Sequence, residues 1–99
     1  MKLPRDLFLG FVKLHILHHA GREAVYGLGL IEELGRHGYR LSHGTLYPIL
    51  HGLEQERLLV SETDVVEGKV RKYYRLTTTG RIALREGKRK AREFMKELE

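Results

Sequence analysis

The fold is decided by residues 42–76, which read SHGTLYPILHGLEQERLLVSETDVVEGKVRKYYRL. At the start of this stretch, Ser42 can cap a helix by accepting a hydrogen bond from the amide of residue 44 or 45. Apolar side chains then recur at helical spacing on one face, at Leu46, Ile49, Leu50 and Leu53. We therefore predict a helix over 42–56 with one buried stripe and an exposed face that carries His43 and Tyr47.

Residues 59–76 change to the pattern of a β-hairpin. β-branched residues come first, Glu67-Gly68 forms a turn, and polar and apolar residues then alternate up to Leu76. This parity places Tyr74 and Leu76 on the core side, so we treat Tyr74 as structural. The pattern predicts two strands with one solvent-exposed face.

The flanking segments are predicted to be helical. Apolar residues fall on nearly every face of 6–20, which indicates a helix buried on more than one side and closed by Gly21. A second helix, 25–37, carries Leu28, Ile31 and Leu34 and ends at Gly38, a candidate left-handed cap. Thr77 can cap a last helix, 77–99, whose apolar seam is Leu84, Ala91, Phe94 and Leu98.

The order of these elements is typical of a winged helix-turn-helix. We predict a mainly α fold with a small β-hairpin and a C-terminal dimerisation helix, forming a single domain over 1–99. Such a small domain can bury only one modest core, and the seam of the last helix and the excess apolar surface of the first both need a cover. A second copy of the chain would supply it.

The charge pattern favours DNA as a partner. The chain has a formal net charge of +5, and four of the seven residues from 69 to 75 are basic. In a winged helix this hairpin would meet phosphates and release counterions. The alternative is a solvated edge strand whose cations only prevent aggregation. The basic hairpin directly follows a helix-turn-helix pattern, and this position favours binding of double-stranded DNA over the alternative.

Five segments resemble the PadR-like family of transcriptional regulators. They are Tyr26-Gly27, LSHGTLYP at 41–48, Leu53-Glu54, KYYRLT at 72–77 and Gly80-Arg81. The resemblance runs from about residue 10 to residue 85. It also accounts for Pro48, which helical periodicity would not propose because proline lacks the amide that a helix interior uses.

The resemblance implies a set of DNA-binding residues: Ser42, Thr45 and Tyr47 at the start of the recognition helix, and Lys69, Arg71 and Lys72 on the wing. The family usually has proline where His43 stands, and His43 is a further candidate for a base or phosphate contact. It usually has glycine where Arg57 stands, so the exit of the helix is expected to differ. Tyr47 has an alternative role as a partly buried aromatic that packs on the wing.

The resemblance also implies a regulatory scheme. The first and last helices of such proteins build a homodimer, and this chain resembles the short members that lack a long C-terminal domain. We expect a repressor that binds an inverted-repeat operator and is released by a small aromatic or cationic effector in the cleft between those helices. The apolar run at 7–17 is too short to span a membrane, so a cytoplasmic protein associated with the nucleoid is expected.

The sequence contains no constellation for catalysis. Cysteine is absent, and Ser42 and Ser61 lack a glycine-rich elbow or a phosphate loop around them. We therefore predict neither an enzyme nor a cofactor. A winged helix that binds another protein remains an alternative function.

Three histidines in the first helix raise a second alternative. His15, His18 and His19 lie at i, i+3 and i+4, a spacing that can bring two imidazoles onto one metal ion. Histidine near a helix C-terminus is also favoured by the helix dipole, and no carboxylate follows closely in sequence. We assign no metal site on this basis, and a metal-responsive regulator stays the alternative.

Overall fold

The computed structural model describes residues 3–99 as four helices and one hairpin. The elements are α1 (Arg5–Arg22), α2 (Gly27–Arg36), α3 (His43–Gln55), β1 (Leu59–Val66), β2 (Lys69–Leu76) and α4 (Thr78–Leu98). This architecture confirms the predicted fold class, a winged helix-turn-helix. Within the described residues, no helix combines the length and the apolar character needed to cross a membrane.

The hairpin is antiparallel, with a register from Leu59 opposite Leu76 to Val66 opposite Lys69. Its turn consists of Glu67 and Gly68, whose φ angles are 52° and 78°. Two successive left-handed residues match the right-handed twist of paired strands. The turn therefore projects the basic strand β2 away from the body without a break in its pairing.

The segment before α2 pairs with β2 through one isolated β-bridge. The Val25 amide donates to the Tyr74 carbonyl at 2.9 Å, and the Tyr74 amide donates to the Val25 carbonyl at 2.7 Å. The prediction that the second helix starts at residue 25 is therefore wrong, because this bridge satisfies the Val25 backbone and α2 begins at Gly27. Leu28 is also half exposed, while Leu30 is buried in the core.

All four helices and both strands contribute to one core. Its fully buried members include Val12 and Ile16 of α1, Leu34 of α2, and Leu46 and Leu50 of α3. The four apolar residues predicted for the inner stripe of α3 are all buried. The orientation of α3, and with it of its polar face, is thus set by packing within the chain.

Two glycines permit close approaches between elements. A β-carbon at Gly21 would lie 2.9 Å from Leu76 Cδ2, so this glycine lets α1 pack on β2. The prediction that Gly21 closes the first helix is wrong, since α1 continues to Arg22. Gly80 similarly lies against the Leu58 carbonyl, where a β-carbon has no room.

The last helix begins at a capped junction with the end of α3. The Thr77 hydroxyl accepts from the Gly80 amide at 2.9 Å and donates to the Arg57 carbonyl at 2.6 Å. Of the predicted apolar seam, Leu84 is buried in the chain's own core, whereas Phe94 and Leu98 are exposed. Leu84 is therefore removed from the surface that a partner would cover.

Candidate nucleic-acid interface

The N-terminus of α3 presents hydroxyl groups at the protein surface. Ser42 Oγ accepts a hydrogen bond from the Thr45 amide at 3.2 Å, and the Ser42 and Thr45 hydroxyl oxygens lie 3.2 Å apart. Further along, Pro48 inside the helix leaves the Gly44 carbonyl without its usual amide donor. The positive end of the helix dipole and these hydroxyls suit an anionic ligand such as a phosphate.

Tyr47 and His43 form a stacked pair on the outer face of α3. Their ring centroids are 5.7 Å apart and the rings are inclined by 18°. Tyr47 is 44% exposed, yet a β-carbon at Gly27 would lie 2.5 Å from its hydroxyl oxygen. The ring thus packs over the first residue of α2 and remains partly exposed, which explains why glycine stands at position 27 of the Tyr26-Gly27 motif.

Strand alternation divides the basic residues of the wing between its two faces. Lys69 and Arg71 share one face, and Lys72 lies on the other with the buried Tyr74. The Lys72 ammonium is 3.7 Å from Glu54 Oε1 of α3 and 5.5 Å from the centre of the Tyr74 ring. Lys72 therefore ties the wing to the recognition helix.

Arg71 is held in place by aromatic side chains. Its guanidinium lies 4.2 Å from the centre of the Tyr26 ring, and it donates a hydrogen bond to the Tyr73 hydroxyl at 3.5 Å. That hydrogen bond raises the pKa of Arg71, so the group is cationic at any pH the protein meets. Stacking and hydrogen bonding restrict the side chain. Arg71 forms no ion pair with a carboxylate among residues 3–99, and the nearby charge of Glu67 also favours its cationic form.

The remaining cations of the strand differ in their availability. Lys69 is exposed beside the turn and forms no ion pair with any residue in the range 3–99. Arg75, by contrast, is 3.0 Å from Glu62 on the neighbouring strand. Lys69 and Arg71 therefore lie near the tip of the wing without an ion pair to any described residue, on the same hairpin as the carboxylates of Asp64 and Glu67.

A second group of polar residues lies away from this surface, between α1 and the end of α2. Donor atoms of His15, His19 and His37 all lie within 4.8 Å of one another. Sequence spacing suggests His18 as the companion of His15 and His19, but His18 lies beside Lys88 of α4. His37, the C-cap residue of α2, takes its place. Helical spacing cannot reveal His37, because it is 18 residues away from His19.

The surroundings of this cluster shift the pKa values of His15 and Glu33. Burial, followed by the proximity of His37 and His19, lowers the pKa of His15. Partial burial opposes the ionisation of Glu33, but its hydrogen bond and ion pair with Arg36 outweigh burial and lower its pKa. Glu33 is therefore a carboxylate in neutral solution.

Comparisons with known proteins agree with the geometry of the fold. Residues 16–86 match the "Transcriptional regulator PadR-like family". "Transcriptional regulator Rv3488" of Mycobacterium tuberculosis is 55% identical over 94 residues, covering 95% of this chain and 88% of that protein.

Solved structures of regulators have the same fold. A PadR family transcriptional regulator from Eggerthella lenta is 35% identical with a TM-score of 0.82, over 94% of this chain and 82% of that one. A PadR-like transcriptional regulator from Bacillus cereus is 29% identical with a TM-score of 0.85, over 94% and 92% of the two chains.

These matches cover the helix-turn-helix, the wing and the start of α4, which are the elements that carry the surface described above. The relatives are regulators of transcription and not enzymes, as the sequence predicts. The chain therefore belongs to the PadR-like family of transcriptional regulators, which act by binding DNA.

Proposed function

We propose that this protein is a homodimeric repressor that binds an inverted-repeat operator, with α3 of each subunit in a major groove. The observation that carries the proposal is the surface formed by the N-terminus of α3 and the tip of the wing. It combines exposed hydroxyls, the His43–Tyr47 pair and two cations, Lys69 and Arg71, that form no ion pair within the described part of the chain. Helix N-termini and basic hairpins are the groups that winged helices direct at bases and phosphates.

Each of the seven residues proposed for DNA binding has a role in this arrangement. Ser42 and Thr45 would contact phosphate at the helix start, and His43 and Tyr47 would reach base edges or sugar. Lys69 and Arg71 would follow the backbone, while Lys72 would orient the wing through Glu54 and share its charge with nearby phosphates.

The proposal of a homodimer rests on apolar surface at the two ends of the chain. Leu7 and Phe11 of α1 are about half exposed, and so are Phe94, Met95 and Leu98 of α4. Soluble monomers seldom expose that many large apolar side chains close together on two helices. A two-fold interface through α1 and α4 would cover them and place two recognition helices on one operator.

The proposed effector site is the groove between α1 and α4. It is lined by apolar atoms of Phe11, Leu14, Leu84 and Ala91, with His18 and Lys88 at its edge. A small aromatic or cationic molecule would fit this composition and, by altering the α1–α4 packing, would change the spacing of the two α3 helices. The protein would act in the cytoplasm, on the DNA of the nucleoid.

Selection of bound sequences from random duplex DNA tests this function. We expect an inverted repeat whose half-sites are about one helical turn apart. Recovery of single half-sites would contradict the dimer. Absence of any DNA affinity at moderate salt would instead favour a winged helix that binds another protein.

A further inference from the structure

We propose that His15, His19 and His37 form a binding site for a divalent transition-metal ion such as Zn²⁺, with Glu33 as the neighbouring carboxylate. The site would join α1 to the C-terminal end of α2. It lies apart from the DNA-facing surface, and one of its residues, His15, also borders the groove between α1 and α4.

The geometry of the three imidazoles supports the site. Ring centroids of His15 and His37 are 5.0 Å apart, and those of His19 lie 6.1 Å and 6.2 Å from the other two. Zinc at about 2.1 Å from each nitrogen holds tetrahedral donors about 3.4 Å apart. The donor atoms already lie within 4.8 Å of one another. Side-chain rotations that bring the nitrogens about 1.4 Å or less closer together would therefore complete the site.

One nitrogen of the cluster is buried without a hydrogen-bond partner among the described residues. His19 Nε2 is buried and forms no hydrogen bond with any residue that the structure describes. A buried polar atom without a partner destabilises the fold, because its lost hydration is not replaced. Coordination of a metal ion would give this nitrogen a partner. Packing of His19 in the core would not by itself explain why a buried nitrogen is left without one.

Glu33 completes the chemistry of the site. Its Oε2 is bound to Arg36, while Oε1 lies 3.8 Å from His19 Nε2 and 3.6 Å from His37 Nε2. This oxygen can serve as the fourth ligand or accept a hydrogen bond from the N–H of a bound imidazole, the two roles that carboxylates take beside metal-bound histidine. Either role adds negative charge next to the cation.

The ion would have a route to the site and a means to act on DNA binding. His19 and Glu33 line a surface cleft of about 450 Å³. His15 also packs against Tyr39 at 5.0 Å, and Tyr39 lies in the turn that leads to the Ser42 cap of α3. A metal ion that fixes His37 to α1 would restrain this turn. The effect on DNA rests on the function proposed above.

The first experiment is thermal unfolding of the full chain, free of any polyhistidine tag, with Zn²⁺, Ni²⁺ or Co²⁺ alone. At one hundred times its Kd, a bound ion should raise the Tm by roughly 10 °C. His37→Ala, at an exposed position that should tolerate the change, should abolish the shift. Glu33→Gln should weaken the metal affinity by about 10- to 100-fold.

His18→Ala is the matched control, because it removes an imidazole next to His19 that does not belong to the cluster. It should keep the metal-induced shift. Absence of a shift in the parent protein would overturn the site, and so would a shift that His18→Ala abolishes and His37→Ala preserves. Titration of Co²⁺ absorption should give one ion per chain, and a spectrum that His37→Ala leaves unchanged would also overturn the assignment.

A second experiment tests the coupling to DNA. Adding the ion should change the operator affinity of the parent protein by at least about five-fold and leave that of His37→Ala unchanged. Metal binding with constant operator affinity would overturn the coupling alone. A protein that binds metal but no DNA would contradict the proposed function and leave the site intact, so the two failures are distinguishable.

Discussion

The helices α3 and α4 both begin with a side-chain cap, yet they differ in what holds them in place. Ser42 accepts from the Thr45 amide in α3, and Thr77 accepts from the Gly80 amide in α4. α3 then buries four apolar side chains in the chain's own core. α4 buries only Gly80 and Leu84, and its second half exposes Phe94, Met95 and Leu98.

The difference separates two levels of organisation. The orientation of α3 is decided inside one chain, because its inner stripe has all its partners there. The orientation of the C-terminal half of α4 is not fixed in this way, since Phe94, Met95 and Leu98 remain more than half exposed among the described residues. The DNA-facing surface should therefore form in a single subunit, while its pairing with a second one should depend on α4.

The largest effect is expected from Phe94→Asp. A charge in the proposed interface should separate the subunits, so that the protein sediments as a monomer at micromolar concentration. Its operator affinity should fall by about 10²-fold or more, because two linked heads no longer bind together. Deletion of residues 86–99 should have the same consequences and also lower the Tm.

Glu93→Asp provides the control for this change, since it places aspartate one residue earlier on the same exposed half of α4. It should remain a dimer with the parental affinity. A parent protein that sediments as a monomer would refute the dimer, and with it the inverted-repeat operator.

The wing should contribute the next largest effect. Replacement of Lys69, Arg71 and Lys72 by alanine should lower affinity for operator and random DNA alike, on the order of 100-fold at physiological salt. The slope of log affinity against log salt should decrease by about 0.9 for each phosphate that the wing no longer neutralises. Fluorescence anisotropy over a salt series measures both, and an unchanged slope would mean that the wing does not touch the backbone.

Tyr47→Ala should have a smaller effect that is confined to operator DNA. We expect operator binding to weaken by about 1 to 3 kcal/mol, with the dimer intact, because the substitution removes a DNA-facing ring from the open face of α3. Tyr47→Phe keeps the ring over Gly27 and removes only the hydroxyl, so it measures the contribution of that group to operator affinity. Equal affinity of Tyr47→Ala and the parent would restrict Tyr47 to its packing role against α2.

The smallest expected effect concerns the exit of α3. Arg57 has a φ of 63°, a left-handed conformation that costs a residue with a β-carbon more than glycine. Arg57→Gly should raise the free energy of unfolding by about 0.5 to 1 kcal/mol, after the greater freedom of glycine in the unfolded chain is subtracted. Glu56→Gly, at a right-handed position, should be destabilising in the same denaturant titration.

Local chemistry explains how much of the fold the sequence predicts. The Ser42 and Thr77 caps, the turn at Glu67-Gly68 and the left-handed Gly38 all appear in the structure, because each depends on neighbours within a few residues. Apolar periodicity likewise identifies the inner stripe of α3. The error at Val25 has the opposite origin, since its bridge partner Tyr74 is 49 residues away.

The sequence by itself determined the order of helices and strands, the basic wing and the membership of a family of regulators, since periodicity, caps and motifs are properties of short segments. Only the tertiary structure decided which side chains meet. It seats Tyr47 on Gly27, pairs Lys72 with Glu54 and brings His37 to His15 and His19. These pairings join elements distant in sequence, so they depend on how the helices pack around the shared core.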